Sequence, residues 1–233
     1  MDRYLKCREY WDEVFSKHEI GAVATITGNE KFDRCLEWAF SGSETVVDFG
    51  CGNGMLLFIA EKHGTRQHIG IDISQAAISA ANTFAKKMYG AIDCTAKPSF
   101  CFMQGSVEKL MCVGSNFCDT VIVSNIIDNL YPDDAEELID EVYRILKPNG
   151  KVFVKLNSFI SEKLIREWNI KKISGNLLDD GLILWNNSTE EWEIFFSKRF
   201  KVVQRGEIEF PEYEQINRYF LLRKNADESK ATL

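Results

Sequence analysis

A strand-like apolar run that ends in a glycine-rich turn is the feature that most constrains this chain. Residues 46–58 read VVDFGCGNGMLLF, so Asp48 is followed by Gly50, Gly52 and Gly54 at alternate positions and then by an apolar segment. Glycines at this spacing let the backbone turn sharply and let a ligand approach it closely. A helix that starts at the end of a parallel strand also offers free backbone N–H groups to a polar ligand. The pattern therefore predicts a strand, a ligand-binding turn and a helix, in that order.

Further apolar runs of strand length follow the turn. Together with the run that contains Asp48, they begin at residues 45, 68, 100, 120 and 151, and most of them lack polar–apolar alternation. Strands that are apolar on both faces are typical of a parallel sheet covered by helices on both sides. Helical patterns lie between them: one starts after Ser74, a good N-cap, and stops at Gly90, and another follows Pro132. This alternation predicts an α/β fold with a doubly wound, mostly parallel sheet.

Segments outside this repeat define the predicted domain organisation. Residues 1–38 contain an amphipathic helix with an aromatic stripe, which we expect to act as a lid. Residues 39–225 are the predicted core, interrupted at residues 157–188 by an insertion that is expected to hold a short helix. After the insertion, residues 201–210 and 216–224 form two β-like runs joined by a short link, which suits antiparallel pairing.

The charge and cysteine content of the chain indicate where the protein is located and which classes of partner it binds. The net charge is −7 and the pI is near 5.2, and such a negative mean field repels phosphate backbones and anionic membrane surfaces. We therefore expect no nucleic-acid partner and no membrane partner. The seven cysteines include no CxxC pair, and the charged N-terminus lacks the apolar centre of a signal peptide. These features predict a cytoplasmic protein, with residues 226–233 as a polar tail.

A second acidic residue points to a ligand that contains adenosine. The run IGIDIS ends a predicted strand in Asp72, eighteen residues after Gly54. A carboxylate at this place can accept both ribose hydroxyls. Nicotinamide-dependent oxidoreductases also carry a glycine turn, but with the spacing GxGxxG, whereas this turn is GxGxG preceded by an acid. An oxidoreductase stays an alternative, and it predicts dinucleotide binding.

Five segments along the chain resemble, in order, the motifs of class I S-adenosylmethionine-dependent methyltransferases. They are DFGCGNG, GIDIS, FMQGSVEKL, FCDTVIVSNIIDNL and LKPNGK, and the resemblance covers residues 39–225. It implies a seven-stranded sheet whose last strand is antiparallel, with S-adenosyl-L-methionine as the cofactor. It also implies methyl transfer by in-line displacement, a reaction in which the protein mainly aligns and desolvates the reactants.

The resemblance also implies a set of cofactor-binding residues. The methionine end is expected at Asp48 and at the turn, whose residues are Gly50, Cys51, Gly52, Asn53 and Gly54, and the ribose is expected at Asp72. The adenine is expected against Ile73, Ser106 and Val107. The methyl donor is expected beside Ser124 and Asn125. Many relatives have an acid at the position of Ser106, and many have a histidine at the position of Asn129. The chain therefore has no histidine base there. The neighbouring Asp128 is the candidate catalytic residue, although an acid in such a loop also serves as a helix cap or faces solvent.

For several of these residues, a purely structural role is the alternative to a role in binding or catalysis. Asp48 could merely accept hydrogen bonds from loop N–H groups. Cys51 is expected to be a small spacer, because no basic partner adjoins it in sequence. Tyr10 and Trp11 either close over the methyl donor or belong to the core. The three histidines lack metal-ligand spacing, so no metal site is predicted.

The acceptor is expected to be a small molecule bound between the N-terminal helix and the insertion. The acidic charge, the lack of an appended binding domain and the lack of an NPPY-like tetrapeptide all disfavour nucleic acid or protein as the acceptor. A catalytically idle domain that binds the cofactor as a sensor or scaffold is the alternative from another class, and turnover separates the two. The acceptor atom and the oligomeric state stay open.

Overall fold

A mostly parallel sheet forms the centre of the protein, whose computed structural model describes residues 3–17, 26–90 and 98–226. The strands are β1 (Thr45–Phe49), β2 (Gln67–Asp72), β3 (Ser99–Gln104), β4 (Cys118–Ser124), β5 (Leu146–Leu156), β6 (Lys171–Ser174), β7 (Leu177–Asp179), β8 (Ile183–Trp185), β9 (Lys201–Phe210) and β10 (Gln215–Arg223). The helices are α1 (Leu5–Ser16), α2 (Glu30–Phe40), α3 (Met55–Lys62), α4 (Gln75–Tyr89), α5 (Pro132–Ile145), α6 (Glu162–Glu167) and α7 (Thr189–Ser197).

The large sheet has seven strands in the order β3-β2-β1-β4-β5-β10-β9. β1 pairs in parallel with β2 and β4, and the parallel pairing continues to β3 on one side and β5 on the other. β10 is antiparallel to both β5 and β9. The predicted fold, a doubly wound and mostly parallel sheet of seven strands with an antiparallel last strand, is confirmed. Its strand order reverses between β1 and β4, and the crevice beyond that point is where open α/β sheets bind ligands.

Helices cover both faces of the sheet, which explains why the strand sequences do not alternate. Val47 of β1 belongs to an apolar cluster that includes α5 and α7, whereas its neighbour Val46 belongs to a second cluster that includes α2, α3 and α4. Both valines are fully buried. A strand buried on both sides needs apolar residues at consecutive positions.

The predicted start and stop signals of the helices act as expected. The Ser74 hydroxyl accepts a hydrogen bond from the Ala77 N–H at 3.0 Å and begins α4, and Gly90 ends it with a φ of 83°. Pro132 occupies the first turn of α5, where its missing N–H costs nothing.

The N-terminal boundary of the core differs from the predicted residue 38. That position lies inside α2, whose buried residues Phe32, Cys35, Leu36, Ala39 and Phe40 belong to the second core cluster. The core therefore begins at α2. α1 has no fully buried residue and packs against α4, and residues 18–25, which include His18, lie outside the described residues.

The insertion contains more structure than the expected helix. Besides α6 it holds a small antiparallel sheet in the order β6-β7-β8. Arg218 of β10 holds its two ends together: the Arg218 Nε donates to the Asn157 carbonyl at 3.0 Å, and its Nη1 donates to the Asn187 carbonyl at 2.7 Å. One buried side chain thus closes the base of the insertion.

Two further findings concern membranes and metals. Among the residues that the structure describes, no helix is both long enough and apolar enough to cross a bilayer. Within the same three stretches of chain, no group of three or more His, Cys, Asp or Glu residues is arranged to hold a metal ion. Residues 227–233, most of the predicted tail, lie outside the described residues.

Candidate active site

A cavity opens at the carboxyl ends of β1, β2 and β4, where the strand order reverses. The predicted cofactor-binding residues that line it are Gly50, Gly52, Asp72, Ile73, Ser106, Ser124 and Asn125. Residues from distant parts of the sequence meet here because parallel strands place their carboxyl ends at one edge of the sheet. The other predicted residues, Asp48, Cys51, Asn53, Gly54, Val107 and Asp128, do not form part of the lining.

The turn after β1 has a backbone that suits glycine. Gly50 has a φ of 79° and Gly52 has a φ of 53°, both in the left-handed region. A Cβ on Gly50 would lie 2.0 Å from Cγ1 of Ile126, so the loop after β4 packs directly on this turn. The Gly50 N–H donates to the Ile71 carbonyl at 2.7 Å, which fastens the turn to β2. The space for a ligand is therefore set by bare backbone on one side and by the loop after β4 on the other.

Asp48, two residues before the turn, is a buried acid that forms no ion pair among the described residues. It is 1% exposed, and neither carboxylate oxygen has a hydrogen-bond partner among the described residues. Burial, assisted by the nearby charge of Asp72, raises the pKa of Asp48 to about 8. The structural alternative, in which Asp48 accepts loop N–H groups, is not what the structure shows. A buried carboxylate without partners is a binding position for a ligand that donates hydrogen bonds or carries positive charge.

Cys51 faces away from the cavity and into the core. Its thiol packs near Gly70 of β2, where an added Cβ would lie 2.7 Å from Sγ. Burial and the charges of Asp48 and Asp72 raise the pKa of the Cys51 thiol well above its usual value. The thiol therefore stays protonated, which fits a spacer and not a nucleophile.

Asp72 ends β2 at the wall of the cavity. Its Oδ2 accepts from the Gly52 N–H and its Oδ1 from the Ser74 N–H, both at 2.8 Å. Each oxygen keeps a second lone pair, so the carboxylate can accept two further donors such as ribose hydroxyls. Burial raises the pKa of Asp72 despite these two N–H donors.

Of the residues predicted to bind adenine, two line the cavity and one lies in the core. Ile73, Gly105 and Ser106 line the cavity, whereas Val107 is 5% exposed and packs in the first core cluster. The Ser106 N–H donates to the Glu108 carboxylate at 3.0 Å. Glu108, two residues further along the chain, is thus bound to the Ser106 backbone and does not line the cavity.

The loop after β4 carries a network of asparagines around Asp128. The Asn125 amide nitrogen donates to Asn157 Oδ1 at 2.9 Å, and Asn157 Nδ2 donates to Asn129 Oδ1 at 3.1 Å. Asp128 is fully buried, and its Oδ2 accepts from the Asn157 backbone N–H at 2.7 Å and from the Asn157 Nδ2 at 3.2 Å. Burial raises the pKa of Asp128 to about 6. Asn125 and Asn129 line the cavity, and Asp128 lies behind them.

Helix α1 forms the cover of the cavity. Tyr4, Cys7, Trp11 and Phe15 follow one another at helical spacing and line it. A Cβ on Gly52 would lie 2.9 Å from the Phe15 ring, so this ring rests on the glycine turn. Of the two aromatic residues singled out in the sequence, Trp11 faces the cavity, and the neighbouring Tyr10 is 50% exposed and does not line it.

Each end of α1 is bound to the first turn of a different helix, one end to α4 and the other to α5. The Asp12 carboxylate accepts from the Ser74 hydroxyl at 2.7 Å and from the Ala76 N–H at 3.0 Å, at the first turn of α4. At the other end, Arg3 pairs with Asp133 at 2.9 Å in the first turn of α5. Acids in these positions are favourable because the N-terminus of a helix carries partial positive charge.

Some of the lining was not predicted from the sequence. The unpredicted residues are Tyr4, Cys7, Phe15, Phe49, Ile71, Gly105, Ile126, Asn129 and Leu130. The helical stripe at the start of the chain was a signal for those in α1, but it could not tell which surface the stripe covers. Asn129 was noted only as the replacement of a histidine.

The chain matches known methyltransferases in sequence. A family model described as a methyltransferase domain matches residues 47–154. The tRNA N(3)-methylcytidine methyltransferase trm140 of Schizosaccharomyces pombe is 24% identical over 214 residues, which are 88% of this chain and 68% of that protein. EEF1A lysine methyltransferase 2 of Danio rerio is 26% identical over 179 residues, which are 69% of this chain and 72% of that protein.

The fold matches as well. The N-methyltransferase NodS from Bradyrhizobium japonicum WM9, solved in complex with S-adenosyl-L-homocysteine, superposes with a TM-score of 0.66 at 13% identity, over 94% of this chain and 98% of that one. At this identity the likeness establishes the fold alone. With the sequence match, the chain carries a methyltransferase domain over residues 47–154, on the fold of the class I S-adenosylmethionine-dependent methyltransferases. It is an enzyme, and its cofactor is S-adenosyl-L-methionine.

One expectation from the sequence is wrong. The net charge of −7, together with the other sequence features, predicts a small-molecule acceptor and no nucleic-acid partner. The two curated relatives, which match over more than two thirds of the chain, are named for acting on tRNA and on a protein. Net charge describes the mean field of a chain and not the surface beside its active site, so it does not decide the class of acceptor.

Proposed function

We propose that this enzyme transfers the methyl group of S-adenosyl-L-methionine to a macromolecular acceptor, with tRNA as the first candidate. The observation that carries the cofactor part is the buried, unpartnered Asp48 beside the glycine turn and Asp72. The observation that favours tRNA is the extent of the match to the tRNA enzyme, which covers 88% of this chain, far beyond the 47–154 domain. A cytoplasmic location stays part of the same proposal.

The residues of the cavity fit the cofactor by their chemistry. In this proposal the oxygens of Asp48 and Asn125 receive the ammonium group of the methionine end, beside the turn of residues 50–54. Asp72 receives the ribose hydroxyls through its free lone pairs. The adenine lies against Ile73, with Ser106 and Val107 at its edge and Ser124 next to the methyl donor.

The contribution of the protein to the reaction is alignment and exclusion of water. When bound, S-adenosyl-L-methionine supplies a methyl group whose bond to sulfur breaks as a nucleophile of the acceptor forms a bond to it, and the electron pair stays on the sulfur. The glycine turn and Ile126 set the depth of the donor pocket, and Trp11 and Phe15 of α1 cover it. Orientation of this kind contributes roughly 7–11 kcal/mol to lowering a barrier.

A binding test examines the cofactor part. S-Adenosylmethionine and S-adenosylhomocysteine at about 100 times their Kd should each add about 2.7 kcal/mol to the free energy of unfolding. For a protein of this size, the Tm should rise by about 5–10 °C. NAD is the matched control and should leave the Tm unchanged. A Tm shift with NAD alone would overturn the assignment.

A labelling test examines the acceptor. The purified enzyme is incubated with methyl-labelled S-adenosylmethionine and either total tRNA or a protein extract, and the product is digested with ribonuclease or protease. Label that only ribonuclease releases supports tRNA, and label that only protease releases replaces tRNA by a protein acceptor. If neither substrate yields label or S-adenosylhomocysteine, the proposal of a macromolecular acceptor fails. The same measurement decides the non-catalytic alternative, because a sensor domain binds the cofactor without turnover.

A further inference from the structure

Asn125 presents an oxygen that nothing in the described part of the chain satisfies. Its backbone N–H donates to the Lys155 carbonyl at 2.7 Å, and its side-chain nitrogen donates to Asn157 Oδ1 at 2.9 Å. Its Oδ1 is buried and has no hydrogen-bond partner among the described residues. Leaving a buried acceptor unsatisfied costs about 1–3 kcal/mol. Since Asn125 lines the cavity, this oxygen is placed for a ligand that donates a hydrogen bond.

The orientation of the Asn125 amide is set by its neighbours. Asp128 offers only oxygen acceptors when it is ionised, so Asn157 must turn its Nδ2 toward Asp128 and its Oδ1 toward Asn125. Asn125 must in turn give its nitrogen to Asn157, which leaves its oxygen pointing elsewhere. The backbone N–H of Asn157 bonds the same Asp128 oxygen, so this oxygen holds Asn157 at two points.

The loop that carries Asn125 packs on the glycine turn, where the proposed function places the methionine end of the cofactor. The next residue, Ile126, packs against Gly50 of the turn that follows Asp48. The carboxylate of Asp48 and the side-chain oxygen of Asn125 are both acceptors without partners in the described residues. Two such acceptors repel a carboxylate and favour a cation that carries N–H groups. The methionine end of the cofactor offers one group of this kind, its α-ammonium.

We propose that Asp128 is a positioning residue that acts through Asn157: it fixes the amide of Asn125 so that the side-chain oxygen receives the α-ammonium of the cofactor. This inference rests on the proposed function. It gives Asp128 a role different from that of a base that touches the acceptor. Asp128 is fully buried, does not line the cavity and uses one oxygen to hold Asn157, so it acts on the reaction through the donor end of the site.

The test compares two ligands that differ by the amino-acid end. S-Adenosylhomocysteine carries the α-ammonium, and 5′-methylthioadenosine keeps the adenosine and the sulfur but lacks it. Their Kd values are measured by calorimetry for the wild type, Asn125→Ala, Asp128→Ala and the double variant. Asn157→Ala breaks the middle of the relay and serves if Asp128→Ala does not fold. Asn186→Ala is the matched control, because it removes a buried amide whose hydrogen bonds, among the described residues, are to the Ile160 backbone alone.

A relay predicts a distinct pattern of affinities. Asn125→Ala should weaken S-adenosylhomocysteine about tenfold or more and leave 5′-methylthioadenosine within about twofold. Asp128→Ala and Asn157→Ala should show the same selective loss, and the double variant should bind no more weakly than Asn125→Ala alone. Asp128→Asn should keep the wild-type ratio of the two affinities, because an amide oxygen in the place of Oδ2 can accept both Asn157 donors. The control variant should not change the ratio.

Other outcomes would overturn the inference. Equal losses for both ligands would show that Asp128 merely supports the fold. Additive losses in the double variant would show that Asp128 does not act through Asn125. An unchanged affinity of Asn125→Ala for S-adenosylhomocysteine would remove Asn125 from the ammonium site. If the wild type bound neither ligand, the cofactor site of the proposed function would fail first, which separates that failure from a failure of the relay.

Discussion

Binding of S-adenosylhomocysteine should tighten as the pH rises from 6 to 8, because Asp48 must lose a proton to receive the ammonium group. The carboxyl is buried without hydrogen-bond partners in the described residues, and its pKa is raised to about 8. If only the ionised form binds, the apparent Kd is multiplied by one plus the ratio of protonated to ionised Asp48. That factor is about 100 at pH 6, about 11 at pH 7 and about 2 at pH 8. The affinity should therefore rise about 50-fold over this range.

Calorimetry in two buffers of different ionisation enthalpy measures both parts of this prediction. At pH 7 about 0.9 protons should be released for each ligand bound, since about nine tenths of Asp48 is protonated before binding. 5′-Methylthioadenosine, which lacks the ammonium, should show little of this pH dependence. Any pH dependence in the binding of 5′-methylthioadenosine would report the titration of Asp72, which is expected to bind the ribose and whose pKa is raised as well.

The decisive control is Asp48→Asn, which has no proton to lose. It should bind S-adenosylhomocysteine with an affinity that changes little between pH 6 and 8. A wild-type affinity that is flat across this range, with no proton released, would refute the argument from burial. A slope that persists in Asp48→Asn would assign the titration to another group.

Three further predictions concern binding, dynamics and stability. Asp72→Ala should weaken S-adenosylhomocysteine about 10- to 100-fold by removing charge-assisted hydrogen bonds, and unchanged affinity in the folded variant would contradict the ribose assignment. Asp12→Ala removes the carboxylate that bonds Ser74 and should speed hydrogen exchange of the α1 amides a few-fold without changing β1, as measured by mass spectrometry; equal exchange in both proteins would argue against this anchor. Asp48→Asn should gain stability over the wild type as the pH rises from 4 to 8, because the raised pKa makes folded Asp48 hold a proton that the unfolded chain releases. The gain should be up to about 1.4 kcal/mol per pH unit in denaturant titrations, and a constant difference would disprove it.

The features that local sequence could predict are those whose cause is local. Ser74 caps α4 through a bond to a residue three positions away, and a capping residue before an apolar stripe is visible in the sequence. The glycine turn and Asp72 are similar, because the need for left-handed backbone and an acid at the end of a strand leaves few alternatives. The fold followed from the same regularity, since buried parallel strands need continuous apolar runs.

The features that escaped prediction depend on contacts between distant residues. Asn125 and Asn157 are 32 positions apart, and neither asparagine has a sequence context that reveals the other. β7 and β8 have three residues each, too few for a periodic pattern to emerge. The surface that α1 covers could not be derived either. An amphipathic stripe indicates that one face of a helix is buried, but it does not indicate which part of the protein that face packs against. The class of acceptor was misjudged because a whole-chain charge was applied to a local surface.

Arg218 closes the insertion at its base, and this has a consequence for how the enzyme could diversify. Its guanidinium joins the carbonyls of Asn157 and Asn187, so the 29 residues between them form a loop whose ends are fixed by a strand of the main sheet. The entropy cost of closing such a loop grows slowly, by about 0.6 kcal/mol for each doubling of its length. The segment can therefore be lengthened or shortened at little entropic cost while Arg218 keeps its two ends attached to the main sheet.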